Sequence, residues 1–134
     1  MKIGSLSSKT GLSVDTIRYY ERIGLLPRAD RDGSGQRDYD DTILEWVAFL
    51  KRLRETGMPI AQMLEYASLR DQGKTTISMR QHILEEHRIK VKQDISSLQT
   101  ALSALDAKIH TYQKMANSDD HESEDNKRNP SRTR

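Results

Sequence analysis

An apolar seam in the C-terminal half of the sequence constrains the fold more than any other feature. Its side chains recur at alternating steps of four and three residues, with Arg88 filling one slot, and they are Leu84, Val91, Ile95, Leu98, Leu102, Leu105, Ile109 and Tyr112. This repeat predicts one long helix, from about Thr76 to Ala116, that pairs as a coiled coil. Such a helix is roughly 60 Å long at about 1.5 Å per residue, and the chain offers no second long helix to cover it. We therefore expect a homodimer through this seam, with the orientation of the two helices left open.

Composition agrees with a small core and long exposed helices. Of 134 residues, 34% are hydrophobic and 31% are charged, whereas the usual hydrophobic share is nearer one half. The net charge of +2 is too small to indicate a nucleic-acid partner, so the position of the charges matters more. Arginines cluster in one stretch that holds only three acidic residues, and they are Arg18, Arg22, Arg28, Arg31 and Arg37.

Several classes of protein and site are disfavoured. The sequence contains no cysteine, which excludes disulfides, thiolate metal sites and thiol-based redox sensing. It has no apolar run of membrane-spanning length and no apolar signal region at its start. We expect a cytoplasmic protein with no membrane partner and no cofactor.

A histidine pair on the long helix resembles a metal site only superficially. His82 and His87 are five residues apart, which separates them by about 140° around a helix. Zinc-binding helices place two histidines four residues apart, on one face. Ser-His-Asp, paired-carboxylate and phosphate-loop patterns are also missing, so we expect no metal site and no enzyme.

The N-terminal segment predicts two short helices joined by a tight turn. The first helix ends at Gly11, and Ser13 is a suitable N-cap for the second. The second helix is expected from Ser13 to Ile23, with Gly24 ending it. Two helices in this arrangement form a helix-turn-helix, whose second helix is the recognition helix.

Residues Leu25 to Tyr39 predict a β-hairpin wing. Pro27 stops the preceding helix, and Asp32-Gly33-Ser34-Gly35 supplies turn residues. Arg37 and Tyr39 are two residues apart and share one face of an extended strand. On pattern alone, a solvated surface hairpin is the alternative.

Two further amphipathic helices follow the wing. Asp40 and Asp41 begin the first, and its apolar positions are Ile43, Leu44, Val47, Leu50 and Leu53. Pro59 begins the second, whose core stripe is Ile60, Met63, Leu64 and Ala67. Backbone amides near Met58, Pro59 and Ile60 could hold a phosphate as part of a second wing.

These segments predict an all-α protein with a small β-hairpin wing. A winged helix-turn-helix head occupies residues 1–70, and a hinge with the coiled-coil dimerisation helix occupies residues 71–116. Residues 117–134 are acidic and then basic, with almost nothing to bury, and we expect a disordered tail.

Six short blocks in the first 70 residues carry a family resemblance. They are Lys2-Ile3-Gly4, Thr10-Gly11-Leu12-Ser13, Thr16-Ile17-Arg18-Tyr19-Tyr20-Glu21, Ile23-Gly24-Leu25-Leu26, Arg37-Asp38-Tyr39 and Thr56-Gly57-Met58. In this order and spacing they resemble the DNA-binding region of the MerR family of bacterial transcription regulators. The long C-terminal helix extends the resemblance to most of the chain.

The resemblance implies a mechanism and a set of contacts. A dimer with antiparallel helices would bind double-stranded DNA at a pseudo-palindrome between two promoter elements whose spacer is too long. It would distort this DNA so that RNA polymerase and its sigma factor can engage both elements. Recognition-helix contacts would be Ser13, Thr16, Arg18, Tyr19, Tyr20 and Arg22, with Arg18 best suited to a base edge and Tyr20 gripping the backbone or packing beneath the wing. The wing would hold phosphates through Arg37 and Tyr39, and the helix start at Met58 and Pro59, identified above from its position, would add a further DNA contact.

The effector is left open by the sequence. Segments 75–78 and 84–88 resemble a short-chain branch associated with aldehyde or electrophile stress, whose members often carry a reactive cysteine in the third helix. Arg52 stands at about that position here, so thiol sensing cannot operate. A small ligand near Trp46, Tyr66 and Arg52, methionine oxidation, or no effector all remain open.

Two other functional classes remain as alternatives. An architectural or excisionase-like DNA binder would share the winged helices but would not need the long dimerisation helix. A coiled-coil adaptor would act through protein partners. DNA bending without an effect on transcription would favour the first, and a lack of DNA binding would favour the second.

Overall fold

A computed structural model describes residues 1–125, with side chains as far as residue 118. The elements are α1 (Ile3–Thr10), α2 (Val14–Ile23), β1 (Asp30–Arg31), β2 (Arg37–Asp38), α3 (Ile43–Glu55), α4 (Ile60–Asp71) and α5 (Ile77–Asp125), with a 3₁₀ turn over Gly73–Thr76. The predicted fold class, helical with one small hairpin, is confirmed. The chain divides into a head, Met1–Ile89, and a second unit that begins at Lys90.

The helix-turn-helix forms as its capping residues predict. Gly11 ends α1 in a left-handed conformation with φ of 80°, and its N–H donates to the Ser7 carbonyl. The Ser13 hydroxyl accepts from the Thr16 N–H at 3.0 Å and so caps α2. Leu6 and Ile17 are fully buried and face the core from the two helices.

The wing is a short antiparallel hairpin that pairs Asp30 with Asp38 and Arg31 with Arg37. The Asp32 carboxylate closes its turn by accepting from the backbone N–H groups of Ser34, at 2.9 Å, and Gln36, at 3.0 Å. Local polar contacts, rather than apolar burial, therefore hold the tip of the wing.

Helices α3 and α4 supply most of the core of the head. Their buried side chains are Ile43, Trp46, Val47, Leu50 and Leu53 from α3 and Met63, Tyr66 and Ala67 from α4. The Trp46 indole N–H donates to the Leu25 carbonyl at 2.8 Å, which ties α3 to the segment after α2. The start of α3 differs from the expectation, because the Asp40 carboxylate accepts from the Thr42 N–H and makes a turn before the helix begins.

The first turns of α5 belong to the head. Ile83 and His87 are buried there, and the His87 Nε2 lies 2.7 Å from the Thr56 hydroxyl. Leu84, expected in the dimerisation seam, is half-buried and packs against the core of the head. Ile83 and His87 therefore form a second face of the helix, which points into the head. This face is offset by one residue from the seam, and the heptad pattern did not reveal it.

From Lys90 onward the seam side chains are exposed on the single chain. Val91 is half-buried, and the side chains of Ile95, Leu98, Leu102, Leu105, Ile109 and Tyr112 are all at least half exposed. Helix α5 continues to Asp125 rather than ending near Ala116, because no glycine or proline interrupts that stretch. Residues 117–125 of the expected disordered tail are therefore helical, and residues 126–134 lie outside the described residues. None of the helices in the described part is long and apolar enough to cross a membrane.

Candidate nucleic-acid interface

The outer face of α2 presents cationic and aromatic side chains to solvent. Arg18, Tyr19 and Arg22 are exposed, and the Arg22 guanidinium lies 5.5 Å from the centre of the Tyr19 ring. The Arg18 guanidinium is 3.9 Å from the Asp15 carboxylate, a loose contact between exposed groups. A helix with free arginine and tyrosine tips can enter a major groove and reach base edges.

Three other residues expected on this face have additional structural roles. The Ser13 hydroxyl caps α2 and also donates to the Thr16 hydroxyl at 2.9 Å. Tyr20 is half-buried and packs against the core. Ser13 and Thr16 therefore lie at the edge of the face, and Tyr20 lies beneath it.

The Glu21 carboxylate joins α2 to the wing. Its Oε1 accepts from the Arg37 Nε–H at 3.1 Å, and its Oε2 accepts from the Tyr39 hydroxyl at 2.8 Å and from the Ala29 N–H at 3.4 Å. Burial raises the pKa of Glu21, but hydrogen bonds from Tyr39 and Arg37 outweigh burial, so the pKa lies below its usual value. Glu21 is therefore a carboxylate held ionised between the recognition helix and the wing.

Tyr39 differs from the expectation of a phosphate contact. Its side chain is only 3% exposed, and its hydroxyl is engaged with Glu21. Burial and the hydrogen bond to the Glu21 carboxylate raise the pKa of Tyr39 to about 12. Arg37 and Tyr39 both donate to the Glu21 carboxylate, so both side chains point toward α2.

Four arginines surround an open concavity beside Glu21. Arg18 and Arg22 of α2, Arg28 of the connecting segment and Arg37 of β2 line this basin, which has a volume of about 420 Å³. We call these four residues the arginine basin. Arg28 was not among the expected contacts. Its position directly after Pro27, where the recognition helix has ended and the wing begins, could have indicated a contact beside α2. Converging guanidinium groups are well suited to phosphate oxygens.

The second wing differs in detail from the expectation. Met58 is buried, and its N–H donates to the Leu53 carbonyl at 2.9 Å, so neither its side chain nor its amide faces outward. Pro59 is the N-cap of α4 and has no N–H to offer. The amides that an α-helix leaves unpaired at its start therefore begin at Ile60.

The side chains that the sequence offered for an effector or metal site contact other residues of the protein. Trp46 stacks on Tyr66 with ring centres 6.0 Å apart, and the Arg70 guanidinium lies 4.2 Å from the Trp46 ring centre. The exposed Arg52 contacts Glu55 instead. No group of three potential metal ligands occurs among the described residues, and His82 pairs with Glu86 at 2.9 Å while His87 faces inward.

Comparison with protein families identifies the family of this head. Residues 1–69 match the MerR HTH family regulatory protein, and residues 44–108 match the family described as MerR, DNA binding. The chain belongs to the MerR family. The resemblance expected from the sequence blocks is thus confirmed, and the chain is a MerR-type transcriptional regulator.

Individual MerR relatives cover different shares of the chain. The regulator AdhR of Bacillus subtilis is 40% identical over 88 residues, which are 66% of this chain but only 63% of AdhR. An uncharacterised helix-turn-helix regulator of Haemophilus influenzae is 35% identical over 108 residues, which are 81% of this chain and 80% of that protein. These relatives are described as regulators of transcription, not as enzymes.

Solved structures of MerR regulators share the fold. A MerR family regulator from Listeria monocytogenes is 38% identical, with a TM-score of 0.86 over 93% of this chain and 95% of that one. HiNmlR, described as a MerR family regulator lacking the sensor domain and bound to promoter DNA, is 34% identical, with a TM-score of 0.77 over 84% and 90%.

Proposed function

We propose that a homodimer of this chain binds a pseudo-palindromic promoter spacer and distorts it to control transcription initiation by RNA polymerase and its sigma factor. The bacterial cytoplasm is the compartment where these partners meet. One observation carries the proposal: the exposed face of α2 shares Arg18 and Arg22 with the arginine basin, so groups suited to base edges and groups suited to phosphates adjoin. The MerR relative bound to promoter DNA supports double-stranded DNA as the partner.

The contacts divide into two kinds. Arg18 and Tyr19, at the exposed face of α2, are the candidates for base edges in the major groove. Arg22, Arg28 and Arg37 are candidates for backbone phosphates, which set the register but carry no sequence information directly. The first amides of α4, from Ile60 onward, are candidates for a further phosphate.

Two copies of the head are required for a pseudo-palindrome, and the exposed seam of α5 provides the means. Leu98 and Leu105 are 68% and 61% exposed on the single chain, and a second copy of the same helix would cover such a stripe. Bending a DNA site of about 20–30 base pairs costs on the order of 1–6 kcal/mol. Phosphate contacts from both heads would offset that cost.

Transcription in vitro, combined with footprinting on the region upstream of the chain's own gene, tests the proposal. We expect one protected region across the promoter spacer and a change in transcript level on adding the protein. A promoter whose spacer has been shortened to the ordinary length should no longer depend on the protein. Protection with bending but no change in transcription would favour the architectural alternative, and a lack of protection would favour the adaptor.

A further inference from the structure

We propose that Glu21 is a positioning residue for DNA discrimination, which sets the orientation of the wing relative to the recognition helix and thereby directs the Arg37 guanidinium into the arginine basin. This proposal rests on the proposed DNA-binding function. It assigns a role to a carboxylate that lies beside the arginine basin and would, by its charge alone, weaken DNA binding.

The geometry at Glu21 distinguishes it from an ordinary surface carboxylate. Glu21 is on α2, whereas its three donors belong to the wing: Ala29 directly precedes β1, Arg37 is in β2 and Tyr39 directly follows β2. The Glu21 side chain is 9% exposed and that of Arg37 is 24% exposed, so solvent screens this pair only partly. One carboxylate therefore fixes both ends of the wing to the recognition helix.

The contact with Arg37 also determines which guanidinium nitrogens are available. Glu21 accepts from Arg37 Nε, and Arg37 at the same time lines the arginine basin with Arg18, Arg22 and Arg28. A planar guanidinium held at its Nε keeps its two terminal nitrogens in a fixed plane. An arginine fixed in this way holds a phosphate at one defined distance from α2, which converts a nonspecific contact into one that sets register.

Local packing in the hairpin does not supply this restraint. Each strand has only two residues, both strands are largely exposed, and the turn is closed by its own polar groups. A hairpin this short is marginal without support from the rest of the protein. Tyr39 anchors the end of the wing in the core, and Glu21 links that anchor to Arg37.

The test compares Glu21→Gln with Asp30→Asn, a matched removal of one negative charge at an exposed position of the same arginine-rich stretch. Affinities are measured for a duplex that carries the footprinted sequence and for a shuffled duplex of equal length and composition. Both variants should bind the shuffled duplex more tightly, because each loses one negative charge that repels the phosphates. Only Glu21→Gln should lower the ratio of the two affinities, by about tenfold, which corresponds to one lost charge-assisted hydrogen bond.

One double variant and one single variant at Arg37 test whether the effect of Glu21 acts through that arginine. Adding Glu21→Gln to Arg37→Gln should leave the ratio as in Arg37→Gln alone, since the carboxylate then has no guanidinium to orient. Arg37→Lys, which keeps the charge but not the planar fork, should also lower the ratio. An unchanged ratio in Glu21→Gln, or an equal fall in the absence of Arg37, would overturn the proposal.

A measurement without DNA separates this proposal from the function on which it rests. The Arg37 Nε proton should exchange slowly with solvent in the parent protein and rapidly in Glu21→Gln, with the backbone amides of Leu6 and Ile17 unchanged. Equal exchange in both proteins would refute the positioning role even if operator binding is intact. If the parent does not distinguish the two duplexes but its Nε proton is protected, the DNA-binding proposal fails and the restraint by Glu21 stands.

Discussion

Two regions of this chain carry the same helical apolar periodicity and use it differently. In the head, the side chains of Leu6, Ile17 and Met63 are 0% exposed, because other elements of the same chain cover them. Beyond Lys90, Leu98 and Leu105 keep well over half of their surface exposed. Periodicity identifies the apolar face of a helix, but the number and placement of the other elements decide whether one chain can cover it.

The largest expected effect comes from a charge in the middle of the exposed seam. Leu98→Asp should abolish the dimer at micromolar concentration, because an aspartate would be buried among apolar side chains of the second copy. Light scattering measures the mass directly. Thr100→Asp is the matched control, since Thr100 lies two residues further on the opposite side of the helix and should leave the dimer intact. A dimer that survives Leu98→Asp would mean that the interface lies elsewhere.

The same truncation made in the two regions should change different quantities. Leu6→Ala removes a fully buried side chain of the head and should lower its free energy of unfolding by about 2–5 kcal/mol, because a cavity remains. Leu102→Ala, at an exposed seam position, should instead weaken dimerisation and make the melting temperature depend more strongly on protein concentration. Chemical and thermal unfolding at several concentrations distinguish the two effects. Equal, concentration-independent losses would contradict the division between the two regions.

Features that depend on neighbouring residues were predictable from the sequence. Gly11 and Gly24 end helices in left-handed conformations, Ser13 caps α2, and the Asp32 to Gly35 segment forms the turn of the wing. Each is a contact made within a few residues, so the sequence pattern and the geometry coincide. The buried faces of α3 and α4 followed from periodicity for the same reason.

Side chains whose role depends on distant partners were not predictable in this way. The family resemblance implied that Tyr39 contacts a phosphate, but the core beneath the wing and the carboxylate of Glu21 hold its side chain inside. The burial of Ile83 and His87 was not predicted, because the stronger seam pattern on the same helix masks a second, inward face. Tertiary contacts decided each of these cases, and a single sequence does not contain them.

The exposed and engaged arginines of the DNA face should respond differently to truncation. Arg18→Ala should cost about 1–3 kcal/mol of operator binding and relax specificity at one base position, because its guanidinium has only a loose contact with Asp15. Arg37→Ala should weaken binding to all sequences and lower the salt slope by about one, and it should also reduce discrimination through the loss of the fixed wing. Binding assays over a range of salt, on operator variants, separate the two. Identical sequence dependence in both variants would remove the distinction between base and phosphate contacts.

The smallest expected effect tests whether the polar link beneath the wing persists in solution. Tyr39 has a pKa of about 12 in the folded chain, against the ordinary value of 10.0. Because the folded-state pKa is raised, the protonated phenol stabilises the fold fully below pH 10, and this contribution is lost as the pH rises from 10 to about 12. Relative to Tyr39→Phe, which cannot ionise, the parent should therefore lose about 1 kcal/mol of unfolding free energy near pH 11.

Urea titrations of both proteins at increasing pH measure this difference. The effects of other groups that ionise in the same pH range are the same in both proteins and cancel in the comparison. A difference that stays constant with pH would show that the Tyr39 hydroxyl is neither buried nor hydrogen-bonded to the Glu21 carboxylate in solution, and the polar link beneath the wing would then be absent.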